Sequence, residues 1–414
     1  MHLSLFIAKK IRKKSDRSGG LSSIGTTIAV CSVALSVAVM ICAMAIVKGF
    51  QYEIKGMIHG FVGNTLLMPP GQQVMEAGKP FSAHPSYFEE LQQLEGIRSV
   101  APVAYLPGMV RTDNEVQGIV FKGVDSLYDF SFYAEHLVQG RLPDYHTAKT
   151  SNEVLLSQKL AQQLHLQVGD PIMVYFVGER IRVRKFELVG LYRLGMSEFD
   201  QTFALTDLRQ VQRLSGWQPQ QATALELHWQ DGFTDHQLLP ALEILLTAST
   251  ADDDPSLVPQ PVSRQYRHIF DWLQLLDMNV VIILVLMVVV AGFNMVSGIL
   301  ILLFEKISMI GLLKALGMRT AQICRIFVLR GMQIVGVGVL AGNLIALLVC
   351  WTQFRWQWFS LNPENYFVDH VPIHLSFAAW FGVNFFAVFA IFLILWLPTL
   401  FISRVSPAQT IKAD

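Results

Sequence analysis

Long apolar stretches alternate with polar segments along the chain, and this alternation predicts a membrane protein. A helix that crosses the bilayer needs about 20 consecutive apolar residues, because lipid offers no partner to an unpaired backbone group. Four stretches meet this requirement: residues 21–48, 278–304, 326–352 and 377–402. Their apolar centres contain no charged residue apart from Arg330, near one end of the third stretch. The fold class predicted is therefore membrane α-helical, with four transmembrane helices.

The first apolar stretch has two possible interpretations, a cleaved signal peptide or a retained span. A signal peptide has an apolar core of about 7 to 15 residues. The apolar run within residues 21–48 is longer than that. We therefore expect a retained transmembrane helix.

The long polar region, residues 49–277, separates the first two spans and predicts a large α+β domain inserted between helices 1 and 2. Roughly 220 residues can bury a core of their own, and we expect two subdomains. Periodicity predicts helices at residues 86–94, 155–164 and 205–214, and strands at 117–121, 172–176 and 180–192. Val177-Gly178-Glu179 is typical of a tight hairpin turn between the last two strands.

Both ends of this region continue the helical periodicity of the neighbouring spans. The apolar positions are Phe50, Ile54, Met57, Ile58 and Phe61 at the first end, and Tyr266, Ile269, Phe270, Leu273 and Leu276 at the second. They predict a helical stalk. The periodicity is equally compatible with a stalk that transmits movement and with one that only holds the domain off the membrane.

Basic residues predict the orientation of the spans, because short cytoplasmic segments are enriched in Lys and Arg. These basic residues lie in a basic amphipathic segment at residues 1–20 and in the segments 305–325 and 403–414. The loop at 353–376 instead has aromatic residues typical of a membrane interface. Both termini are thus expected in the cytoplasm, and residues 49–277 outside it, as a periplasmic domain.

Composition narrows the function classes. The chain is 52% hydrophobic and 15% charged, and Lys plus Arg equals Asp plus Glu at 32 each, so nucleic acid is not an expected partner. The four cysteines all lie within or beside apolar stretches, which excludes a disulfide framework in the polar domain. Neither metal-ligand spacing nor a catalytic motif was found, so we expect no metal site and no catalytic residue in this chain.

The segment between the second and third spans is short, helix-prone and amphipathic. It reads E-K-I-S-M-I-G-L-L-K-A-L-G-M-R-T-A-Q-I from Glu305 to Ile323, with Ile310, Leu313 and Leu316 expected along one side. Such a helix could fit a groove on a soluble partner, or it could be an interfacial connector without a partner.

This segment resembles the coupling helix of FtsX/MacB-type ABC transporter permeases, of the form E-x-x-x-E-I-G-I-L-K-A-L-G-A. Val47-Lys48-Gly49-Phe50-Gln51 resembles the N-G-F-Q motif of the lipoprotein-releasing LolC/LolE permeases. The segments 152–156, 169–170, 185–190 and 195–200 follow the order of that family's extracytoplasmic domain, and Ser406-Pro407-Ala408 resembles its tail. Met309 departs from the family, which commonly has Glu there.

The resemblance implies an ABC permease subunit of the bacterial inner membrane that is not itself an enzyme. It would release lipoproteins, or other lipid-linked cargo, from the outer leaflet, using ATP and Mg bound by a separate LolD-like ATPase dimer; this chain binds no cofactor. A second permease copy or a paralogue would complete the complex in the lipid bilayer. A periplasmic lipoprotein chaperone docks on a long hairpin in the LolC type, but here that place has only the tight turn at 177–179.

Two groups of residues are predicted to carry the function. Those expected to contact the ATPase are Glu305, Ile310, Gly311, Leu313, Lys314, Leu316 and Gly317. Those expected to line an apolar cargo cavity, in the outer halves of the first two spans, are Val39, Met40, Ala43, Met44, Val47, Leu276, Val280, Ile283 and Leu284. For any one of the latter, ordinary packing or lipid contact explains the side chain equally well.

Two related functions compete with lipoprotein release. An FtsX-like mechanotransmitter would regulate a cell-wall hydrolase, but its outer domain is typically much smaller. A MacB-like permease would export small molecules, and in that family the ATPase is fused to the N-terminus, whereas about 20 residues precede the first span here.

Overall fold

The computed structural model describes residues 21–74, 76, 78–111, 115–146, 149–176, 181–249 and 255–396. Three predicted features lie outside these residues: the basic segment at 1–20, the turn at Val177-Gly178-Glu179, and the tail at 403–414 with Ser406-Pro407-Ala408. The described residues form two compact units. Within the described residues, we call 21–52, 272–360 and 370–396 the membrane unit, and 53–271 and 361–369 the head unit.

In chain order, the elements are α1 (Leu21–Val62), β1 (Thr65–Met68), β2 (Phe81–Ser82), α2 (Phe88–Gln93), β3 (Ile97–Arg111), β4 (Val116–Val124), α3 (Ser131–Glu135), β5 (Leu137–Gly140), β6 (Glu153–Ser157), α4 (Gln158–Gln163), β7 (Pro171–Phe176), β8 (Arg182–Tyr192), α5 (Ser197–Asp200), β9 (Phe203–Asp207), α6 (Leu208–Ser215), β10 (Gln221–Ala222), β11 (Ala224–Trp229), α7 (Asp235–Ser249), β12 (Val258–Pro261), α8 (Val262–Gln265), α9 (Arg267–Glu305), α10 (Ile307–Ala315), α11 (Thr320–Trp356), α12 (Pro363–Tyr366) and α13 (Phe377–Ile394).

The membrane unit is built on four helices that are long and apolar enough to cross a membrane, namely α1, α9, α11 and α13. The first three predicted spans lie within α1, α9 and α11; of the fourth, 377–402, helix α13 covers 377–394, and residues 397–402 lie outside the described residues. Small and β-branched side chains of α1, such as Ala29, Val33 and Val37, pack against the other three helices. Bulky side chains on the opposite faces, such as Phe381 and Phe385 of α13, are exposed, which is the pattern expected of helices in contact with lipid.

The head unit is α+β. Its ten-stranded sheet has the order β12-β1-β11-β3-β4-β9-β6-β8-β5, and β7 pairs with both β3 and β8. Two separate hydrophobic clusters lie on this sheet, one including α4 with β6 to β8, the other α2 and α7 with β11. One continuous sheet therefore joins the parts that the sequence predicted as two subdomains.

Two predicted helices are wrong at their N-terminal ends. Residues 155–164 form the end of strand β6 and then helix α4, and residues 205–214 form the end of β9 and then α6. Short, fully buried strands are continuously apolar, so their periodicity does not separate them from helices. In each case the helix N-cap lies where the strand ends and the helix begins. Ser157 Oγ accepts the Leu160 N–H, and Asp207 accepts the Arg209 N–H.

The helical continuation of the first and second spans is confirmed. Helix α1 runs without a break to Val62, and α9 begins at Arg267. The predicted apolar positions Ile54, Ile58 and Phe61 are buried, as are Ile269 and Leu273.

Candidate functional site

The segment predicted to contact an ATPase forms a compact turn of helix between α9 and α11. Helix α10 ends at Ala315, and Gly317, which follows the C-cap Leu316, has a φ of +87° that suits glycine. The Met318 N–H donates to the Leu313 carbonyl at 3.0 Å, and Glu305 pairs with Lys306 at 2.6 Å. The A-L-G part of the motif is therefore a helix C-cap.

The exposed side of α10 differs from the predicted one. Ile310 is fully buried among Leu302, Leu303, Ile323 and Phe327, and Gly311 is buried beside it. The sequence analysis expected Ile310, Leu313 and Leu316 along one side and in contact with an ATPase, but Ile310 fills the core between α9 and α11 whereas Leu316 is exposed.

Two leucines remain on the surface of α10. Leu312 is 58% exposed and Leu316 is 75% exposed, while Leu313 and Lys314 are half-buried. Leu312 and Leu316 are four residues apart, so they lie on one helix face. We call this pair the leucine ridge.

The K-G-F-Q segment of α1 makes polar contacts to α9. Gln51 Nε2 donates to Asp277 Oδ2 at 2.7 Å and to the Leu273 carbonyl at 3.4 Å. Lys48 Nζ donates to Gln51 Oε1 at 2.9 Å and lies 3.5 Å from Asp277 Oδ1. Asp277 was not singled out from the sequence, although an acid directly before an apolar span is a signal for such a pair.

Gly49 of the same segment allows a loop to approach α1. A Cβ at this position would lie 2.3 Å from the Pro372 carbonyl oxygen and 2.9 Å from the Ile373 nitrogen. The neighbouring contacts are a hydrogen bond from the His374 N–H to the Ala45 carbonyl, at 3.0 Å, and stacking of His374 on Tyr52, at 4.6 Å. Lys48, Gly49 and Gln51 thus each have a structural role.

An apolar groove of about 510 Å³ lies between α1 and α9. It is lined by Thr27, Ile28, Cys31, Ser32, Leu35, Ser36, Val39, Met287, Val290 and Asn294. Of the residues predicted to line a cargo cavity, Val39 lines this groove. Met40 and Val280 are buried in helix packing, and Ala43, Met44, Val47, Leu276, Ile283 and Leu284 are half-buried outside the groove lining.

Polar and small residues hold the four helices together. Asn294 donates to Ser32 at 2.6 Å, and Asn384 pairs with Asn343, which also accepts from the indole N–H of Trp380 at 2.7 Å. The expectation that Asn294 and Asn384 pair across helices is confirmed. A Cβ at Gly338 or Gly342 would lie within 3 Å of α1, which confirms their packing role.

In the head unit, the end of α1 is inserted into an aromatic cluster. The ring of Phe61 lies 5.2 Å from Phe199, 5.3 Å from Phe203, 5.9 Å from Tyr133 and 6.1 Å from Tyr192, centroid to centroid. Since truncation of a buried phenylalanine costs about 3 to 5 kcal/mol, this contact fixes the helix end firmly.

The segment that enters α9 meets the same cluster. Tyr266 packs on Phe199 at 4.8 Å, and His268 Nε2 lies 2.9 Å from Glu198 Oε2. Glu198 and Phe199 belong to the G-M-S-E-F-D segment. This short helix, α5, therefore contacts the ends of both predicted stalk helices, and we call the set Phe61, Phe199 and Tyr266 the stalk junction.

Asp200 closes the G-M-S-E-F-D segment. Its carboxylate accepts the N–H groups of Leu194, at 3.2 Å, and Gly195, at 3.0 Å. Burial raises the pKa of Asp200 to about 6, although the two hydrogen bonds oppose this shift. The carboxylate holds the turn that positions Phe199.

The other head segments that follow the family order meet at one place. The Glu187 N–H donates to the Asn152 carbonyl at 2.9 Å, and the Gly169 N–H donates to the Leu188 carbonyl at 2.7 Å. A cleft of about 280 Å³ lies beside these residues. Backbone hydrogen bonds join these segments to one another, so we assign them to the scaffold.

Two protein families match this chain, one over its first part and one over its last part. MacB-like periplasmic core domains match residues 26–257, and the FtsX-like permease C-terminal family matches residues 281–407. The chain is 25% identical, over 390 residues and 89% of each chain, to the lipoprotein-releasing system transmembrane protein LolC of Neisseria meningitidis serogroup B. It is 24% identical to the transmembrane protein LolE of the same system from Haemophilus influenzae, over all of both chains. A solved structure, the periplasmic region of MacB from Actinobacillus actinomycetemcomitans, aligns with 51% of this chain and 95% of its own, at 15% identity and a TM-score of 0.36.

Proposed function

Because the chain belongs to the LolC/LolE-type permeases of the FtsX/MacB superfamily, we propose that it is the permease subunit of an ABC transporter that releases lipoproteins from the inner membrane. A separate ATPase subunit hydrolyses ATP. Movement driven by that ATPase passes through the spans to the head unit, and the lipid-linked cargo leaves the outer leaflet.

The leucine ridge on α10 is the observation that carries this proposal. Two leucines exposed on a short helix are costly in water and suited to a groove on a partner protein. Ile310 and Leu313 contribute indirectly, because they hold α10 against α9 and α11. A displacement of α10 would therefore move both spans.

The proposed topology places α10 and both termini in the cytoplasm and the head unit in the periplasm. The basic residues around α10 and before α1 support this orientation. In this arrangement the ATPase reaches the leucine ridge, and the head unit, inserted between the first two spans, reaches a periplasmic acceptor.

The stalk junction supports active transmission rather than a passive stalk. Phe61 and Tyr266, at the ends of the two stalk segments, both contact Phe199. Since packed interiors deform little, a shift of either helix end displaces α5 and the sheet behind it.

The groove between α1 and α9 is the proposed place for the acyl chains of the cargo. Its lining is mostly apolar, and Asn294 donates a hydrogen bond to Ser32 within it. An alkyl chain in this groove would contact mainly apolar side chains.

The test is ATP-driven release from a reconstituted complex. The chain is co-purified with its ATPase, in proteoliposomes loaded with an acylated lipoprotein. We expect the double variant L312D/L316D to insert normally and to lose ATP-dependent release. Leu127, 87% exposed in the head unit, supplies the matched control L127D.

Two results would refute the proposal. One is that no ATPase subunit co-purifies with the wild-type chain. The other is that L312D/L316D releases cargo as the wild type does.

A further inference from the structure

The head unit contains a fully buried ion pair that the proposed mechanism has not used. Lys122 of β4 and Glu226 of β11 both have side chains that are at most 1% exposed, and Lys122 Nζ lies 2.6 Å from Glu226 Oε2. The hydroxyl of Tyr128 donates to Glu226 Oε1 at 2.9 Å, and His228 Nε2 lies 3.0 Å from the same oxygen. Burial by itself raises the pKa of Glu226, but the contacts with Lys122 and His228 together outweigh burial, and the pKa is lowered.

Lys122 Nζ also donates to the Tyr128 hydroxyl at 2.9 Å, and its third contact is to the end of a stalk helix. Its Nζ donates to the Phe61 carbonyl oxygen at 2.5 Å. Phe61 is the penultimate residue of α1, and the last carbonyls of a helix have no partner within the helix. They also carry the negative end of the helix dipole, so an ammonium group is the matching partner.

Stability alone does not account for this arrangement. A buried ion pair is often no more stabilising than apolar residues of similar size. Lys122 adds a directional contact: its charge-assisted hydrogen bond fixes the backbone carbonyl of Phe61, while the aromatic cluster holds the Phe61 ring.

We propose that Lys122, held by Glu226 and Tyr128, is the positioning residue that ties the end of α1 to the central strands of the head unit. This inference rests on the proposed function and deepens it. When α1 shifts or rotates, β4 and β11 follow, and the whole sheet moves with the helix.

The experiment uses the full chain in the reconstituted complex and measures cargo released per ATP hydrolysed. In K122M/E226Q, glutamine keeps an acceptor for Tyr128 and His228, but the Phe61 carbonyl loses its ammonium partner. A second variant, K122M/E226L/Y128F, replaces the whole polar set by apolar groups. We expect both variants to fold and to hydrolyse ATP, and release per ATP to fall about fivefold or more, the low end of typical coupling between sites.

The control removes an exposed ion pair of the same unit. Arg98 and Asp129 lie 3.6 Å apart with side chains 63% and 55% exposed, and R98Q/D129N should release cargo as the wild type does.

A covalent tether separates positioning from any other role of Lys122. A Cβ at Gly60 of α1 would lie 2.8 Å from Phe132 Cγ, so cysteines at these two positions are close enough for a disulfide. In the K122M/E226Q background, we expect G60C/F132C to restore release when oxidised and to lose it again on reduction.

The outcomes separate the two proposals. A wild-type complex that hydrolyses ATP without releasing cargo would refute the proposed function. Wild-type release together with undiminished release by both Lys122 variants would overturn the anchoring role, as would failure of the oxidised tether to restore release.

Discussion

Gly49 offers a sharp test of the packing in the membrane unit, because α1 contains a second glycine with the opposite surroundings. A Cβ at Gly49 would overlap backbone atoms of Pro372 and Ile373, whereas a Cβ at Gly56 would meet nothing within 4 Å. The same substitution, glycine to alanine, is therefore expected to have opposite effects seven residues apart on one helix.

The magnitude follows from the contacts. Alanine is favoured over glycine within a helix by about 1 kcal/mol, and G56A should gain that amount. At Gly49 the overlap is with backbone, which cannot rotate away, and overpacking of this kind costs about 1 to 3 kcal/mol. If the loop moves outward, the hydrogen bond from His374 to Ala45 is lost as well, at about 1 kcal/mol. Overpacking and the lost hydrogen bond together, less the helix gain, should destabilise G49A by about 1 to 3 kcal/mol.

The assay is thermal unfolding of each purified variant in the same detergent, followed by intrinsic tryptophan fluorescence. The melting temperature should fall for G49A and rise slightly for G56A. If both variants shift in the same direction, or if G49A is as stable as the wild type, the close approach of residues 372–373 to α1 is wrong.

Three further predictions test other parts of the chain. Because the pKa of Asp200 is raised to about 6 in the folded head unit, the wild type should lose stability relative to D200N as the pH rises from about 4 to 6, by up to about 3 kcal/mol. Denaturant unfolding of both proteins across this range measures the effect, and a difference in unfolding free energy that does not change with pH would contradict it. N343L breaks the hydrogen bonds to Asn384 and Trp380, so its melting temperature should fall by the equivalent of about 1 kcal/mol, whereas L344A, on an exposed neighbour, should change little. Cys31 lines the groove between α1 and α9, so bound acylated lipoprotein should slow its alkylation by an apolar maleimide; equal rates with and without cargo would place the acyl chains elsewhere.

The leucine ridge changes what a variant in the coupling segment means. Substitution of Ile310 would damage the contact of α10 with α9 and α11, and lost release would then reflect a disturbed fold. Substitution of Leu316, three-quarters exposed, removes a surface group and leaves that contact intact. Variants at the two positions separate loss of structure from loss of partner binding.

The stalk junction gives a physical reason for the G-M-S-E-F-D segment. Glu198 contacts His268, Phe199 contacts both Phe61 and Tyr266, and Asp200 holds the turn before them. Each residue of the segment named here serves the contact between the head unit's sheet and the stalk ends. A catalytic role is not needed to explain their chemistry.

The sequence by itself determined the four spans, the α+β character of the polar region and the family. These features depend on long apolar runs and local motifs, which lipid and backbone hydrogen bonding constrain without reference to distant residues. The pairing of Asn384 and the packing role of Gly342 could also be predicted, because a polar or small residue within a span has few alternatives.

Only the tertiary structure decided which side chains meet. The strands at 153–157 and 203–207 were not recognised, since a short buried strand and a buried helix are equally apolar. The outward face of α10 depended on the packing of Ile310 against α9 and α11, and the groove depended on which faces of α1 and α9 are left uncovered. Lys122, one lysine within an apolar strand, gave no signal of its role, because its partners Phe61 and Glu226 lie 61 residues before it and about a hundred after it and come together only in the folded sheet.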